Sequence, residues 1–334
     1  MRLHGKTVFD MLDIPASRAE PKVSVLMVTY NHEKFIAQAI ESVLMQKTDF
    51  PFELVIGEDC STDGTREIVR EYSRKHPEII RALLRERNLG AQENSRQVHL
   101  AAKGKYMALL EGDDYWTSPR KLQLQADLLD AHPEIVLCGH RAVWHYEDGS
   151  RPDTFLPADT EGVYDVERLF GTTFLNACTV MFRRVIDHAP EWCRGLLMSD
   201  IPMYAELGRY GNFYLLDDTM SVYRIHGGGI WSGLDGLGQV KQTRAMYRAF
   251  YENLDPKHRP AIRRRLFWCS YYVALDSFTA GMPDEVRACL RECLRCSGPL
   301  EHLPEKTRLI LKGYCWWAFP LWRHLRRAGC PVKV

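Results

Sequence analysis

Residues 106–114 read YMALLEGDD. An apolar run, Tyr106 to Leu110, ends in Glu111, Asp113 and Asp114. The run has the length and continuity of a strand buried on both faces. The carboxylates repel one another, so something must offset the repulsion. One offset is the next helix, whose N-terminal dipole favours negative charge. Thr117 or Ser118 would cap it, with Pro119 in its first turn. That reading leaves Asp113 and Asp114 without a role. The other offset is a cation: adjacent carboxylates beyond a buried strand suit Mg2+ or Mn2+, which prefer oxygen ligands.

Working outward, VSVLMV (23–28), FELVIG (52–57) and RALL (81–84) read as further strands. Between them lie helical stretches. Phe35, Ile36, Ala39, Ile40, Val43 and Leu44 follow helical spacing, and helices are predicted over 66–75 and 93–102. Strands alternating with helices predict βαβ units and a parallel sheet, with ligands beyond the carboxyl ends of the strands. The turn Thr29-Tyr30-Asn31, the GED of 57–59 and the GDD of 112–114 all sit at such ends, and together they would form one crevice. Ser61, Thr62 and Asp63 are cap residues for the helix after Gly64. They do not account for Glu58 and Asp59.

The chain has 334 residues, is 46% hydrophobic and carries a formal net charge of +1, which gives no basis for a nucleic-acid partner. It has neither a P-loop nor a G-x-G-x-x-G after the first strand. Its ten cysteines are scattered, and no secretory signal is read at the start, so reduced thiols and a cytoplasmic location are expected. Cys289, Cys293 and Cys296 share a helical face and are expected to pack rather than bind metal.

In order, VSVLMVTYNHEKFIAQAIESVLMQ, ELVIGEDCSTDGT, RNLG, KGKYMALLEGDDYW and RKL resemble the bacterial family 2 glycosyltransferases over about residues 21–230. The resemblance implies the GT-A fold, an α/β half with a Rossmann-like, mostly parallel sheet joined to an acceptor half. It implies inverting transfer from a nucleotide-diphosphate sugar, UDP-sugars favoured, with a divalent metal. Thr29, Tyr30 and Asn31 match the first nucleotide-contacting turn, and Asp59 the carboxylate that meets the base. Asp113 matches the residue near ribose and metal, and Asp114 the principal metal ligand. The family more often has Asp at Glu58 and Gly at Cys60, and the lost glycine implies that residue 60 avoids positive φ.

In the second half, Asp200 in LLMSDIPMYAELGRYG (196–211) matches the family's acidic helix-opening motif and is the expected general base; Asp217 and Asp218 read as a turn between two strands. YRIHGGGIWSG (223–233) resembles the segment that folds over the donor diphosphate. His226 is expected on metal or phosphate, with a surface histidine as the alternative. Trp231 is expected to stack on a sugar. Trp116 is open between sugar contact and core packing.

The predicted organisation is an extension over 1–20, a GT-A domain over 21–235 and a helical region over 236–334. The stretch 309–329 joins aromatic residues to arginines. It reads either as a packed terminal helix or as a segment on a membrane surface. The second reading would place the protein on the inner face of the cell membrane, with a saccharide or polyprenyl-linked acceptor in surface polysaccharide synthesis. A degenerate, non-catalytic binding or assembly subunit is disfavoured by Asp59, Asp113, Asp114 and Asp200. A sugar nucleotidyltransferase is disfavoured because the turn after the first strand is not glycine-rich and basic.

Overall fold

The apolar run at 23–28 becomes strand β1 (Val23–Thr29) of the computed structural model, which describes residues 20–156, 159–171, 174–298 and 301–314. Helix α1 (Ile36–Leu44), strand β2 (Phe52–Glu58), α2 (Thr65–Lys75), β3 (Ile80–Leu84), α3 (Ala91–Ala101) and β4 (Tyr106–Leu109) follow in alternation. β1 is a central strand, flanked by β2 and by β4, each parallel to it, and it is apolar on both faces because crossover helices cover both faces of such a sheet. β3 adds a fourth parallel strand beyond β2. Ser24 is a polar residue inside β1. Its Oγ donates to Glu53 Oε1 at 2.6 Å and accepts from the Gly104 N–H at 2.8 Å, so the buried hydroxyl is satisfied.

The order 3-2-1-4 reverses between β1 and β4. At such a switch point the connections leave in opposite directions and open a crevice beyond the carboxyl ends. The Thr29 turn and the Glu111–Asp114 turn border it, as the sequence predicts.

Past that point come β5 (Tyr115–Trp116), α4 (Lys121–Ala131), β6 (Ile135–Tyr146), β7 (Thr154–Leu156), β8 (Gly162–Tyr164), β9 (Met181–Arg183), α5 (Asp200–Leu207) and β10 (Asn212–Ile225). β9 runs antiparallel between β4 and β6, and β10 lies parallel to β6. The sheet is therefore mixed, with its parallel part at the crevice. Two expectations are corrected here. Asp217 and Asp218 do not separate two strands: β10 runs through them, with register shifts against β6 between Leu216 and Thr219. The bulge absorbs the two charged residues, and Asp217 pairs with Arg141 at 2.6 Å. Nor does α4 begin at Pro119. Thr117 N–H is held by Met220 O in the sheet, so the helix starts later, at Lys121.

The described residues divide into two compact units: those up to Arg194 with Ser199–Gly229, and Gly195–Met198 with those from Ile230 onward. The second unit is helical: α6 (Gly236–Asn253), α7 (Arg259–Thr279), α8 (Pro283–Cys296) and α9 (Leu303–Tyr314). Asp235 caps α6, accepting from the Gly238 N–H at 2.6 Å. Cys289, Cys293 and Cys296 are buried along α8, as packing requires. Arg244 is buried beside them and pairs with Glu285 at 2.9 Å and Glu292 at 2.6 Å. Most of the extension over 1–20 and the tail from residue 315 lie outside the described residues.

Gly57, one residue before the acidic end of β2, is where α3 crosses closest. A methyl group there would overlap the Asn94 side chain and Val98. Gly57→Ala should destabilise the protein by about 1–3 kcal/mol through overpacking. Urea denaturation would show this, and an unchanged midpoint would mean that α3 can shift.

Candidate active site

The crevice is built from loops that lace together. The Asn31 N–H donates to Ser61 Oγ at 3.0 Å, and Asn31 Oδ1 accepts from the Thr62 N–H at 2.9 Å. The Glu33 N–H reaches Asp63 Oδ2 at 3.1 Å, while Glu33 Oε2 accepts from the Gly64 N–H at 3.0 Å. Asn31 lies at φ +56°, a left-handed conformation that Asn tolerates. Thr29 is buried with its Oγ1 unpaired, and Tyr30 stands 41% exposed.

Glu58 and Asp59 are both buried, and both hold backbone. Glu58, 0% exposed, accepts from the Ser61 N–H at 2.6 Å and pairs with Arg66 at 3.0 Å. Asp59 accepts from the Leu89 N–H at 2.7 Å and the Gly90 N–H at 2.9 Å, which pins the RNLG turn. These contacts overturn the expectation for Cys60, whose φ is +61°. The chain must fold back there to bring the Ser61 N–H onto Glu58, at a cost of about 1–2 kcal/mol for a residue with a side chain.

The acidic turn depends on Arg224, near the end of β10. Its backbone N–H donates to Asp114 Oδ1 at 2.8 Å, and its Nη1 donates to Asp113 O at 2.6 Å. Its Nε pairs with Glu147 at 2.8 Å, and its Nη2 meets Gln38. The guanidinium lies over Tyr115 at 4.4 Å and Phe35 at 5.0 Å. The sequence passes over this residue, because an arginine inside a strand gives no sign of what it will meet.

His226 is on Asp113, with Nε2 3.1 Å from Oδ2, and His32 Nε2 is 3.7 Å from the same oxygen. Burial works to raise the Asp113 pKa, but the hydrogen bond from His226 and the nearby His32 outweigh it, and the carboxyl is held below its usual value. Asp114 goes the other way: burial first, then the charge of Asp113, push it well up. Glu111 is also raised well above its usual value, by burial and then by Asp113, Asp114 and Asp200. Asp200, the first residue of α5, is thus near enough for its charge to bear on Glu111. Its own pKa is raised by burial.

Among the described residues no three His, Cys, Asp or Glu side chains form a closed metal-ligand set. The turn nevertheless fits a hard cation. Asp114 Oδ2 is buried without a conventional hydrogen bond, with only the Cys178 thiol, a weak donor, beside it. One or two carboxylates, completed by phosphate oxygens and water, is an ordinary Mg2+ arrangement.

The tryptophans separate. Trp116 is 1% exposed, its Nε1 donates to Cys178 O at 2.8 Å, and Lys121 Nζ lies over its ring at 4.2 Å. It packs in the core, so the sugar contact is withdrawn. Lys121 is fully buried, bonds Gln125 at 2.8 Å, and has its pKa pushed down by burial to about 7. Trp231 falls in the second unit, where its carbonyl accepts from Gln239 at 3.2 Å. Tyr223, unremarked in the sequence, is raised by burial and then by Asp114 and Glu111.

A parallel sheet with an acidic turn at its switch point, extended by antiparallel strands, is the GT-A arrangement. Residues 24–189 match the model of glycosyl transferase family 2, and over those residues the chain belongs to that family. It is 37% identical over 211 residues to an uncharacterised protein of Mycobacterium tuberculosis, a match covering 63% of this chain and 60% of that one. The Staphylococcus aureus poly(ribitol-phosphate) beta-N-acetylglucosaminyltransferase TarS is 38% identical over 120 residues, 35% of this chain and 20% of that protein. The structure of its residues 1–349 with UDP-GlcNAc superposes with a TM-score of 0.64, at 16% identity, over 93% of both chains. A Pyrobaculum calidifontis mannosyltransferase bound to GDP-Man and Mn2+ gives 0.52 at 17% identity, over 96% of this chain and 88% of that one. These structural likenesses show a shared fold.

Replacing Arg224 by Met would keep the backbone N–H on Asp114 but remove the guanidinium from Asp113 O and leave Glu147 without its partner. Loss of one member of such a buried set costs about 3 kcal/mol. Denaturant unfolding of Arg224→Met should show a loss of that order; a wild-type midpoint would mean that the turn holds itself.

Proposed function

We propose that the chain is an inverting glycosyltransferase that moves a sugar from a nucleotide-diphosphate donor to a saccharide or lipid-linked saccharide hydroxyl. The observation that carries the reading is the buried, unpaired Asp114 Oδ2 on the acidic turn, with Asp200 close enough for its charge to bear on Glu111 of the same turn. An acceptor hydroxyl and a diphosphate leaving group need a base and a charge-balancing site side by side. Family membership supports the reaction class. The nucleotide sugars in the TarS and mannosyltransferase structures support a donor of this kind, and the first of them favours UDP.

In this mechanism Asp200 takes the proton from the acceptor hydroxyl, and that oxygen attacks the anomeric carbon from the side opposite the diphosphate. Burial raises the basicity of Asp200 towards the operating range. Asp114 and Asp113 would hold a divalent cation, which offsets charge on the departing diphosphate. His226 and Arg224 fix Asp113 and Asp114 in place. Thr29, Tyr30 and Asn31 would border the nucleotide, and Asp59 would shape its pocket through the Leu89–Gly90 turn. Attachment to the inner membrane face through the stretch 309–329, which from residue 315 lies outside the described residues, belongs to the same reading; no helix among the described residues is long and apolar enough to cross a membrane.

A screen of nucleotide sugars, scored by metal-dependent hydrolysis and by transfer, tests the class; no turnover and no binding would favour the non-catalytic reading. Asp114→Ala should abolish metal-dependent turnover and weaken nucleotide-diphosphate binding while the fold survives, and unchanged metal dependence would refute the ligand assignment. Asp200→Asn should cut turnover by about 10²–10⁴-fold with donor affinity little changed. Near-normal turnover would put the base elsewhere.

A further inference from the structure

Charge is unevenly placed along the chain. Of its 44 Lys and Arg and 43 Asp and Glu, residues 230–334 hold 18 and 9. Several acids of the helical unit are already taken: Glu285 and Glu292 by Arg244 and Arg248, Asp284 by Arg287, Asp255 by Lys257. Helix α7 opens with Arg259, Arg263, Arg264 and Arg265, and none of these is paired with a carboxylate among the described residues. Trp268 stands four residues after Arg264, and Tyr272 four after that, so the three share a helix face. Arg264 is exposed, Trp268 is half-buried and Tyr272 is 53% exposed. The Trp268 ring lies 6.1 Å from Tyr272 and 5.1 Å from His302. Leu303, next to His302 and 48% exposed, carries the patch onto the start of α9.

We propose that this face of α7, with the start of α9, rests on an anionic lipid surface. The arginines meet headgroup phosphates, and Trp268, Tyr272 and Leu303 enter the interfacial layer. Arginine presents a planar fork of donors that matches phosphate, and arginines without acids keep that fork available. Tryptophan and tyrosine settle at the headgroup level, where an apolar body and a polar edge are both accommodated. A soluble polyanion would satisfy the arginines and give Tyr272 and Leu303 nothing. A lipid surface answers both, because it pairs negative charge with apolar depth. The surface is separate from the stretch 309–329 proposed above for membrane attachment, and it is built from residues that precede it.

The test is sedimentation of the full chain with vesicles of phosphatidylcholine alone and of phosphatidylcholine mixed with phosphatidylglycerol, at low and high salt. The wild type should bind the anionic vesicles, leave the neutral ones, and release as salt screens the headgroups. Arg264→Gln should weaken partition about fivefold, the contribution of one basic residue at such a surface. Adding Tyr272→Ser should weaken it further. Both variants should melt at the wild-type temperature, since both side chains point outward. Equal binding to neutral and anionic vesicles, no binding at all, or wild-type binding by the double variant would each overturn the proposal. So would a Tyr272→Ser protein that melts several degrees lower, because the patch would then be covered from within the chain. Trp316→Ser with Trp317→Ser separates this surface from the 309–329 stretch. Loss of binding in that pair alone leaves the tail reading standing and sinks this one; loss in the α7 variants alone does the reverse; loss in both supports both.

Discussion

The crevice is organised around a buried positive charge. Arg224 reaches the acidic turn from a strand more than a hundred residues away, touching Asp114 through its backbone and Asp113 O through its guanidinium. His226 and His32 hold the Asp113 carboxylate, and Arg224 supplies the remaining donors to the turn. Its other contacts, Glu147, Gln38, Phe35 and Tyr115, come from separate elements. One side chain thus fixes the acidic turn relative to α1, the start of β5 and the end of β6.

The acidic residues fall into two groups by what they already bond. Glu58 and Asp59 spend their oxygens on backbone N–H groups and on Arg66, which is what keeps two buried charges tolerable. Glu111, Asp114 and Asp200 are left short of donors, and burial pushes each towards the neutral form. The first group shapes loops; the second has capacity left for a ligand. This division, rather than acidity alone, separates scaffold from chemistry here.

The parallel half was legible because its signals are local. An apolar run makes β1, a helical period makes α1, and an acidic turn follows β2 and β4. The failures come from contacts that composition and period do not show, one of them only three residues long and the others far along the chain. Cys60 takes a left-handed conformation because Glu58 must reach the Ser61 N–H. Asp217 and Asp218 stay inside a strand because β6 pairs on both sides of them. Trp116 is drawn into the core by Cys178 O and Lys121, over sixty residues and over four residues away respectively. Arg224 left no trace in its own segment, since its partners lie on other elements.

Lys121 gives the fold an unusual proton inventory. In the unfolded chain its amine holds a proton up to the ordinary lysine value; in the core, beneath Trp116, it releases that proton near pH 7. Between those two values the unfolded chain binds the proton more tightly than the folded one. Unfolding in that interval is accompanied by proton uptake at this site, and the site's contribution to stability rises with pH until the unfolded amine also titrates. The same residue that packs the tryptophan behind the acidic turn therefore couples the core to solution pH, independently of the carboxylates in front of it.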